Sequence, residues 1–348
     1  MKKILLIVLI VSLAFSIFAC SDASQNGQNG GVGASAVIGG DSGSSGNQSG
    51  SVSPLTGLPG VGDYRPVQVQ IDNEATGRPQ YGIQDADIVY EAMIEGADTR
   101  LSALYNDTLP EKVGPVRSAR VYFQYIQNEW DSIFVHDGGP FVEAWPDSYI
   151  YSEKNGGNMK VRIDGTRQTD NKMLWHQSLS IAYANVKEVI AEKNYQRTKR
   201  NPMFKFDSNP DYSKYPDFTK VDIPFISEDI THVEYRYDKS SDKLVRYFYG
   251  QPFEDATTKK AVEVQNVIVQ YVTLKPLAAG EGGRILLDMV GNGKAEFFIG
   301  GKHMTGTWQK DSHTAGTVYK LSDGSEVVLK PGNTWIELQP DSKTIVTK

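Results

Sequence analysis

Cysteine is almost absent from this chain: among 348 residues there is a single one, at position 20. One thiol excludes an intrachain disulfide framework, a cysteine-rich zinc site and a CxxC redox motif. Positive charge is also scarce, since 36 Lys and Arg stand against 42 Asp and Glu. The net charge of −6 argues against nucleic acid as the main partner, because phosphate backbones require a basic surface.

Several catalytic signatures are missing as well. The sequence has no GxSxG, no HExxH, no GxxxxGK followed by Ser or Thr, no SxxK with its partner motifs and no EF-hand loop. We therefore predict neither a cofactor nor a metal site. The hydrophobic content of 39% is nevertheless enough for a packed core.

The position of the cysteine explains why it is there. Lys2 and Lys3 precede an apolar run over 4–18, which is too short for a spanning helix of about 20 residues but suits a signal peptide. The next residues, 17–20, resemble a lipobox, so we predict a signal peptide over 1–19 and a lipidated, palmitate-bearing Cys20. An ordinary secretory signal with an incidental cysteine is the alternative.

Residues 20–53 are predicted to be the lipidated cysteine and a flexible tether. Positions 21–53 hold nine glycines and nine serines and no Lys, Arg or aromatic residue. Such a segment cannot bury enough apolar area to offset the entropy lost on ordering.

The segment 54–200 mixes strand and helix patterns and predicts an α/β or α+β domain. Period-2 or apolar runs indicate strands at 67–71, 88–94, 101–105 and 133–136, and a hairpin turn that sets Glu95 opposite Arg100. Apolar residues at helical spacing predict helices over 122–130 and 179–193.

Proline-rich residues 201–225 are predicted to be a linker or an irregular crossover. Beyond them, 226–348 contains short β runs separated by glycine-rich turns and no convincing amphipathic helix. This pattern predicts a mainly β C-terminal domain.

The run from Lys112 to Arg120 reverses the sign of the acidic chain, with three positive charges and no acid before Glu129. Ser118 is predicted to cap the helix over 122–130, which places Arg117 and Arg120 at its positive end. Cations there favour a bound anion, held by guanidinium groups and free helix N–H groups. The alternative is an internal ion pair with an acid of the protein itself.

Other residues complete this candidate anion site. Arg100 and His136 are predicted to bind the anion with Arg117 and Arg120, and His136 as an ordinary core histidine is the alternative. The supporting residues are predicted to be Asp72, Asn73, Glu95, Gly138 and Gly139. For Asp72 and Asn73 a simple turn is the competing interpretation.

These motifs together resemble YerB-type bacterial lipoproteins, a two-domain family of unknown function typical of Gram-positive bacteria. The resemblance rests on PLTGL at 54–58, ADIVYE at 86–91, KVGPVRSAR at 112–120, His136 with Gly138 and Gly139, NVIVQ at 266–270, GTW at 306–308 and PGNTW at 331–335. Phe253 stands where the family often has histidine, so a site built on that histidine is absent here.

Two functions follow as expectations. The first is a lipoprotein on the outer face of the cell membrane that binds an anionic cell-wall or lipid-phosphate ligand, or acts as an envelope scaffold. The second is a phosphotransferase similar to the LytR-CpsA-Psr enzymes, which act on polyprenyl-pyrophosphate-linked glycopolymers. It rests on a loose likeness of Asp98-Thr99 and the Arg117 to Arg120 run. The sequence identifies no protein partner.

Overall fold

The computed structural model describes residues 52–60, 66–108, 110–137, 139, 166–167, 179–182, 203–225, 232–277 and 283–348. Strands before residue 200 are β1 (Val67–Asp72), β2 (Ile88–Met93), β3 (Thr99–Tyr105), β4 (Lys112–Val113), β5 (Ile133–Val135), β6 (Thr166–Arg167) and β7 (Leu179–Ala182). Later strands are β8 (Lys205–Phe206), β9 (Lys220–Pro224), β10 (His232–Asp238), β11 (Lys243–Phe248), β12 (Gln251–Pro252), β13 (Glu263–Val264), β14 (Asn266–Pro276), β15 (Ile285–Asp288), β16 (Gly291–Ile299), β17 (Lys302–Lys310), β18 (Val318–Leu321), β19 (Val328–Leu329), β20 (Thr334–Pro340) and β21 (Val346–Thr347). The described part holds one α-helix, α1 (Val121–Trp130), and two 3-10 turns, Ala75–Gly77 and Glu95–Ala97.

A ten-stranded sheet runs through both halves of the chain. Its strand order is β18-β17-β16-β14-β20-β2-β3-β1-β5, and β15 pairs with β14. The halves meet where β2 pairs in parallel with β20, from Ile88 opposite Thr334 to Ala92 opposite Leu338. The segments 54–200 and 226–348 therefore share one continuous sheet.

A second sheet covers one face of the large sheet. It has six strands in the order β12-β11-β10-β9-β21, with β13 paired to β11. Val89 and Trp335 from the large sheet share a buried cluster with Val233, Tyr235 and Leu244 from the second sheet. Apolar burial between the two layers is the main term that holds them together.

Helix α1 covers the opposite face. Phe123 and Trp130 pack there with Tyr90 and Phe204, and the Trp130 indole N–H donates to the Tyr90 hydroxyl at 2.8 Å. The helix also buries the glutamine face of β1, since the Gln68 amide donates to the Phe123 carbonyl at 2.9 Å. None of the helices in the described part has the length and apolar character needed to cross a membrane.

Two local predictions are wrong. Ser118 is not the cap of α1, because Arg120 takes that position and no side chain caps the helix. Glu95 does not face Arg100: the hairpin closes from Ile94 to Asp98, and Arg100 lies opposite Ala92. The turn is wider than expected because it contains Gly96 at a φ of +80° and a full 3-10 turn.

The helix predicted over 179–193 is wrong at its beginning. Residues Leu179–Ala182 form β7, which pairs with both β4 and β6 in a small sheet. Pairing with two neighbours supplies the backbone hydrogen bonds that a helix would have made internally. Residues 183–193 lie outside the described residues.

The stretch 201–225, predicted to be a linker or crossover, contains two strands. Strand β8 pairs with β19, and β9 lies inside the second sheet between β10 and β21. Val221 and Ile223 of β9 are fully buried. The prolines there made the segment resemble a linker, but Pro224 stands at the end of β9, where it interrupts no ladder.

Candidate functional site

The predicted anion-binding arginines meet where β1, β2 and β5 end and where β3 and α1 begin. Strand β3 pairs antiparallel with β1 and β2, and β5 pairs in parallel with β1, so these ends share one edge of the sheet. Strand ends beside a helix amino terminus are a common place for anions to bind. We call the following group the arginine site: Arg100, Arg117, Arg120, Asp72, Glu74 and Glu95.

Arg120 forms a two-pronged ion pair with Glu95. Its Nε donates to Glu95 Oε2 at 2.8 Å, its Nη2 donates to Glu95 Oε1, and its Nη1 donates to the Ala119 carbonyl at 2.7 Å. Burial acts to raise the pKa of Glu95, but the Arg120 guanidinium outweighs it and lowers that pKa. The internal ion pair, rather than a bound anion, neutralises Arg120.

Arg117 is also paired within the protein. Its Nη2 lies 2.5 Å from Glu74 Oε1, and its Nε lies 3.4 Å from Asp72 Oδ2. Asp72, at the end of β1, was predicted as a supporting residue of the anion site, whereas Glu74, two residues later, was not. Arg117 and Arg120 therefore make internal ion pairs, which was the alternative to a bound anion in the sequence analysis.

Arg100 is different, because it is buried and pairs with no carboxylate of the described residues. The residue is 1% exposed, and its Nη1 donates to the Ser118 carbonyl at 2.8 Å. Its Nε has no acceptor, and among the described residues it forms no ion pair. Burial, helped by Arg120 and Arg117, lowers the pKa of Arg100 to about 10, although Asp72 opposes this.

The other residues predicted for the anion site, and the predicted lipidation site, lie in different parts of the chain. His136 follows β5 and is buried with its ring 4.9 Å from that of Phe134. Gly139 has a φ of +149°, and a Cβ there would lie 3.2 Å from the Ala119 carbonyl oxygen, next to the first turn of α1. Gly138 and Cys20 lie outside the described residues.

Asn73 faces the interior rather than the arginines. Its amide donates to the Thr99 hydroxyl at 2.8 Å and to Glu91 Oε1 at 3.1 Å, and its own oxygen accepts from the Gln80 amide at 3.0 Å. Asn73 therefore joins the arginine site to a second group of charges that lies between the two sheets.

The second group, which we call the buried charge cluster, consists of Glu91, Arg246, Tyr235 and Glu337. Glu91 and Glu337 lie side by side on β2 and β20. The Arg246 Nη2 pairs with Glu91 Oε2, and the Tyr235 hydroxyl donates to Glu337 Oε1. All four residues are fully buried, so they join the large sheet to the second sheet without contact with solvent.

Aromatic rings enclose the Arg246 guanidinium. Its Cζ lies 4.4 Å from the ring centre of Phe253 and 4.6 Å from that of Trp335. Phe253, the departure from the family pattern, is thus part of this enclosure. Burial acts to lower the pKa of Arg246, but Glu91, Tyr235 and Glu337 outweigh it and raise that pKa.

Glu337 is the second carboxyl group of the cluster and lies beside Glu91. Burial, together with the neighbouring Glu91 carboxylate, raises the pKa of Glu337 well above its ordinary value. Because Arg246 pairs directly with Glu91, Glu337 is the carboxyl group that keeps its proton.

The parent protein is expected to lose stability as the pH rises above 4.5, the pKa of Glu337 in the unfolded chain. Replacing Glu337 by glutamine is expected to remove this loss. The folded state holds this proton to a higher pH than the unfolded chain does, so unfolding releases it. Stability of the parent then falls by up to about tenfold in the folding equilibrium per pH unit. Urea unfolding of parent and Glu337→Gln at pH 5–8 measures this, with the exposed Glu326→Gln as control. Parallel profiles would show that Glu337 is ionised in the folded protein.

The alternation of residues along β11 is the one indication of this cluster in the sequence. Strand β11 alternates inward and outward residues, and Arg246 occupies the inward phase between Leu244 and Phe248. A charged residue in the buried phase of a strand must find a partner, because an unpaired buried charge is very costly. The pattern indicates burial, but it does not reveal that Glu91 is the partner.

Two clefts open elsewhere on the described surface. One of about 520 Å³ has Tyr271, Glu296 and Trp308 in its lining, and one of about 450 Å³ has Phe204 and Tyr319. None of the arginines of the arginine site lines either cleft. Within the described residues, no group of three or more His, Cys, Asp or Glu side chains is arranged to hold a metal ion.

Comparison with known proteins finds a matching protein family and a related protein. Two models of one family, described as "Protein of unknown function (DUF3048)", match this chain. The N-terminal domain model matches residues 55–196, and the C-terminal domain model matches residues 221–336. A Bacillus subtilis (strain 168) protein whose name is "Putative lipoprotein YerB" is 33% identical over 301 residues, covering 83% of this chain and 86% of the relative.

A solved structure gives the same result. The crystal structure of YerB protein from Bacillus subtilis is 30% identical, with a TM-score of 0.73, and the match covers 85% of this chain and 99% of that chain. The resemblance stated from the sequence motifs is confirmed, and so is the predicted fold class of an N-terminal domain followed by a mainly β C-terminal domain.

Proposed function

Because the chain belongs to the YerB family of two-domain DUF3048 proteins, we propose that it is a lipid-anchored envelope protein that binds an anionic ligand at the arginine site. The ligand class is phosphate or carboxylate, as in cell-wall polymers and phosphorylated lipids. The observation that carries the proposal is Arg100, a buried guanidinium whose Nε has no acceptor and which forms no ion pair among the described residues.

Burying a charge without a partner is costly, and proteins usually avoid it. In Arg100 the cost is visible in a pKa lowered by burial to about 10, with Arg120 and Arg117 adding to it. A bound anion would reverse this penalty. The lone cation is therefore understandable as half of an ion pair whose other half is the ligand.

The amino end of α1 adds a second attraction for anions. Arg120 is its cap residue, and within the described residues no side chain makes a capping hydrogen bond. Uncapped N–H groups and the helix dipole together favour negative charge at this end. The Arg100 guanidinium reaches the same end, since it donates to the carbonyl of Ser118.

Partly exposed ion pairs surround the buried arginine. The side chains of Arg117 and Arg120 keep 15% and 10% of their surface exposed, and their partners Glu74 and Glu95 keep 25% and 27%. Solvent therefore reaches both members of each pair. A phosphate group would take the place of a carboxylate at one of them and reach Arg100 behind it.

The membrane anchor is the other half of the proposal. Lipid on Cys20, with the Gly/Ser-rich tether 21–53, would hold the folded residues at the outer face of the membrane of a Gram-positive cell. Two acyl chains give stable attachment, because each buried CH₂ contributes about 0.8 kcal/mol. The relative's name, "Putative lipoprotein YerB", supports the lipid anchor.

Removing the Arg100 charge is expected to weaken anion binding at least tenfold. The mature chain from residue 20, with Cys20→Ser to keep it free of lipid, is titrated calorimetrically with inorganic phosphate and with diphosphate. Arg100→Met should lose affinity and keep a melting temperature no lower than that of the parent, because it removes an unpaired buried charge. Arg236→Met, on the exposed side of β10, is the control and should bind like the parent. A parent that binds neither anion, or an Arg100→Met variant that binds both equally well, would contradict the proposal.

A further inference from the structure

A cleft of about 520 Å³ lies where β14 separates from β16 in the large sheet. The two strands pair as far as Gln270 and Ala295, and from Thr273 onward β14 pairs with β15 instead. The cleft lies in the fork between these strands, and we call it the β14–β16 cleft. Its volume is within the range of small-molecule sites, so it can hold a ligand of that size.

A fixed contact between the two strands holds the fork open. The Tyr271 carbonyl accepts a hydrogen bond from the Trp308 indole N–H at 2.8 Å. Gly293 is needed beside them, because a Cβ there would lie 2.5 Å from the indole nitrogen and 2.9 Å from the Tyr271 carbonyl oxygen. Trp308 is 3% exposed and its N–H is used, so it forms part of the wall of the cleft rather than a stacking surface.

Glu296 presents an oriented carboxylate to the cleft. Its Oε1 accepts from the Tyr271 hydroxyl at 2.7 Å, and its Oε2 lies 2.6 Å from His303 Nε2. Burial acts to raise the pKa of Glu296, but the hydrogen bonds from His303 and Tyr271 outweigh it and lower that pKa. The Glu296 side chain keeps 20% of its surface exposed, so its remaining lone pairs can accept hydrogen bonds from a ligand.

Two further carboxylates line the cleft, and each is also held by a neighbour. Asp341 Oδ2 accepts from the Thr273 hydroxyl at 2.6 Å, and Asp288 Oδ2 lies 2.5 Å from Lys275 Nζ. Both acids are exposed, and so is Thr273. The cleft therefore offers a ligand several acceptors whose directions the protein has already set.

Positive and amide groups line the same cleft. Lys294 and Lys343 supply ammonium donors, and Asn292 supplies an amide that both donates and accepts. Lys294 also helps to lower the pKa of Glu296. Acids and cations thus lie together here, and the cleft has neither the positive excess that an anion requires nor the negative excess that a cation requires.

We propose that the β14–β16 cleft binds an uncharged saccharide. Its hydroxyl groups would donate to the carboxylates of Glu296 and Asp341 and accept from the Asn292 amide and the ammonium groups. Because the acceptors are already oriented, little side-chain entropy is lost on binding. A zwitterion would have to compete with the cations that already stand beside these carboxylates. The cleft is separate from the arginine site, so this inference does not depend on the proposed anion binding.

Calorimetric titration of the mature chain carrying Cys20→Ser tests the inference. The probes are glucose, which offers hydroxyl groups alone, N-acetylglucosamine, which adds an amide, and diglycine as a zwitterion. At least one saccharide is expected to bind, about tenfold or more tightly than diglycine. Glu296→Gln should weaken that binding by about tenfold, because hydrogen bonds to a charged group are strong. Asn292→Ala, at an exposed position that leaves the fold intact, should weaken it by about threefold.

The matched control is Glu326→Gln, because Glu326 lines the other cleft and its side chain is 46% exposed. It should bind the saccharide like the parent. The inference is overturned if neither saccharide binds, if diglycine binds more tightly than both, or if either Glu296→Gln or Asn292→Ala binds like the parent. A loss of affinity in Glu326→Gln would place the sugar in the other cleft and also overturn it. These outcomes leave the arginine site untouched, since its own test uses phosphate.

Discussion

Replacing Arg246 by methionine is expected to lower the free energy of unfolding by about 3–5 kcal/mol. The substitution keeps a long side chain between the rings of Phe253 and Trp335 but removes the positive charge. Glu91 then remains fully buried without a cation, and removing one partner of a buried pair is far more costly than removing both. Urea unfolding followed by tryptophan fluorescence measures the change.

The position of the pair makes this loss global. Glu91 lies on β2 of the large sheet and Arg246 on β11 of the second sheet, so their contact bridges the two layers of the core. Thr99 and Asn73 still donate to the other oxygen of Glu91. Two neutral hydrogen bonds offset only part of the cost of a buried negative charge.

Two further variants isolate the cause. Arg236→Met removes an arginine from the adjacent strand β10, where the side chain is 44% exposed and pairs with Glu234, and it should cost no more than about 1 kcal/mol. Adding Glu91→Gln to Arg246→Met should restore most of the lost stability, because the uncompensated charge disappears. An Arg246→Met variant as stable as Arg236→Met would show that the pair contributes nothing.

Replacing Lys310 by methionine is expected to lower the free energy of unfolding by a similar amount, about 3–5 kcal/mol. Lys310 is fully buried, and its Nζ lies 2.7 Å from Glu129 Oε2. Glu129 stands in the last turn of α1, whereas Lys310 ends β17, so this second buried pair also links the two halves of the chain. Without the ammonium group, the Glu129 carboxylate loses its cation, while the hydrogen bond from the Thr317 backbone N–H at 2.9 Å remains.

A double-mutant cycle decides whether charge or packing is responsible. Glu129→Gln combined with Lys310→Met should be more stable than Lys310→Met alone, since the glutamine oxygen can still accept from Thr317 and carries no charge. Lys320→Met, on the exposed face of β18, is the control and should change the free energy of unfolding by less than about 0.5 kcal/mol. If the double variant is no more stable than Lys310→Met, the unpaired carboxylate is not the cause of the loss.

Much of the fold followed from local patterns. The strand runs at 67–71, 88–94 and 101–105 and the helix at 122–130 match β1, β2, β3 and α1 to within about two residues at each end. Strand β17 has no such local pattern, because its two inward apolar residues, Met304 and Trp308, are separated by Gly306 and surrounded by polar residues. Glycine is needed there: a Cβ would lie 1.9 Å from the Lys320 carbonyl oxygen of the neighbouring strand.

By itself, the sequence determined the features that depend on neighbours along the chain: the lipobox-like residues 17–20, the Gly/Ser-rich composition of 21–53, the periodicity of the main strands and the family motifs. It also located the reversal of charge at Arg117 and Arg120, because that run is continuous.

Only the tertiary structure decided which charges are paired. Glu91 and Arg246 are 155 residues apart, Glu129 and Lys310 are 181 residues apart, and no local pattern encodes either pairing. The same holds for Arg100, which makes no ion pair with any described residue, a fact that appears only when the neighbouring strands and α1 are in place. The physical reason is that the energy of a charge depends on every group that surrounds it after folding, whereas strand and helix periodicity depends on the geometry of the backbone alone.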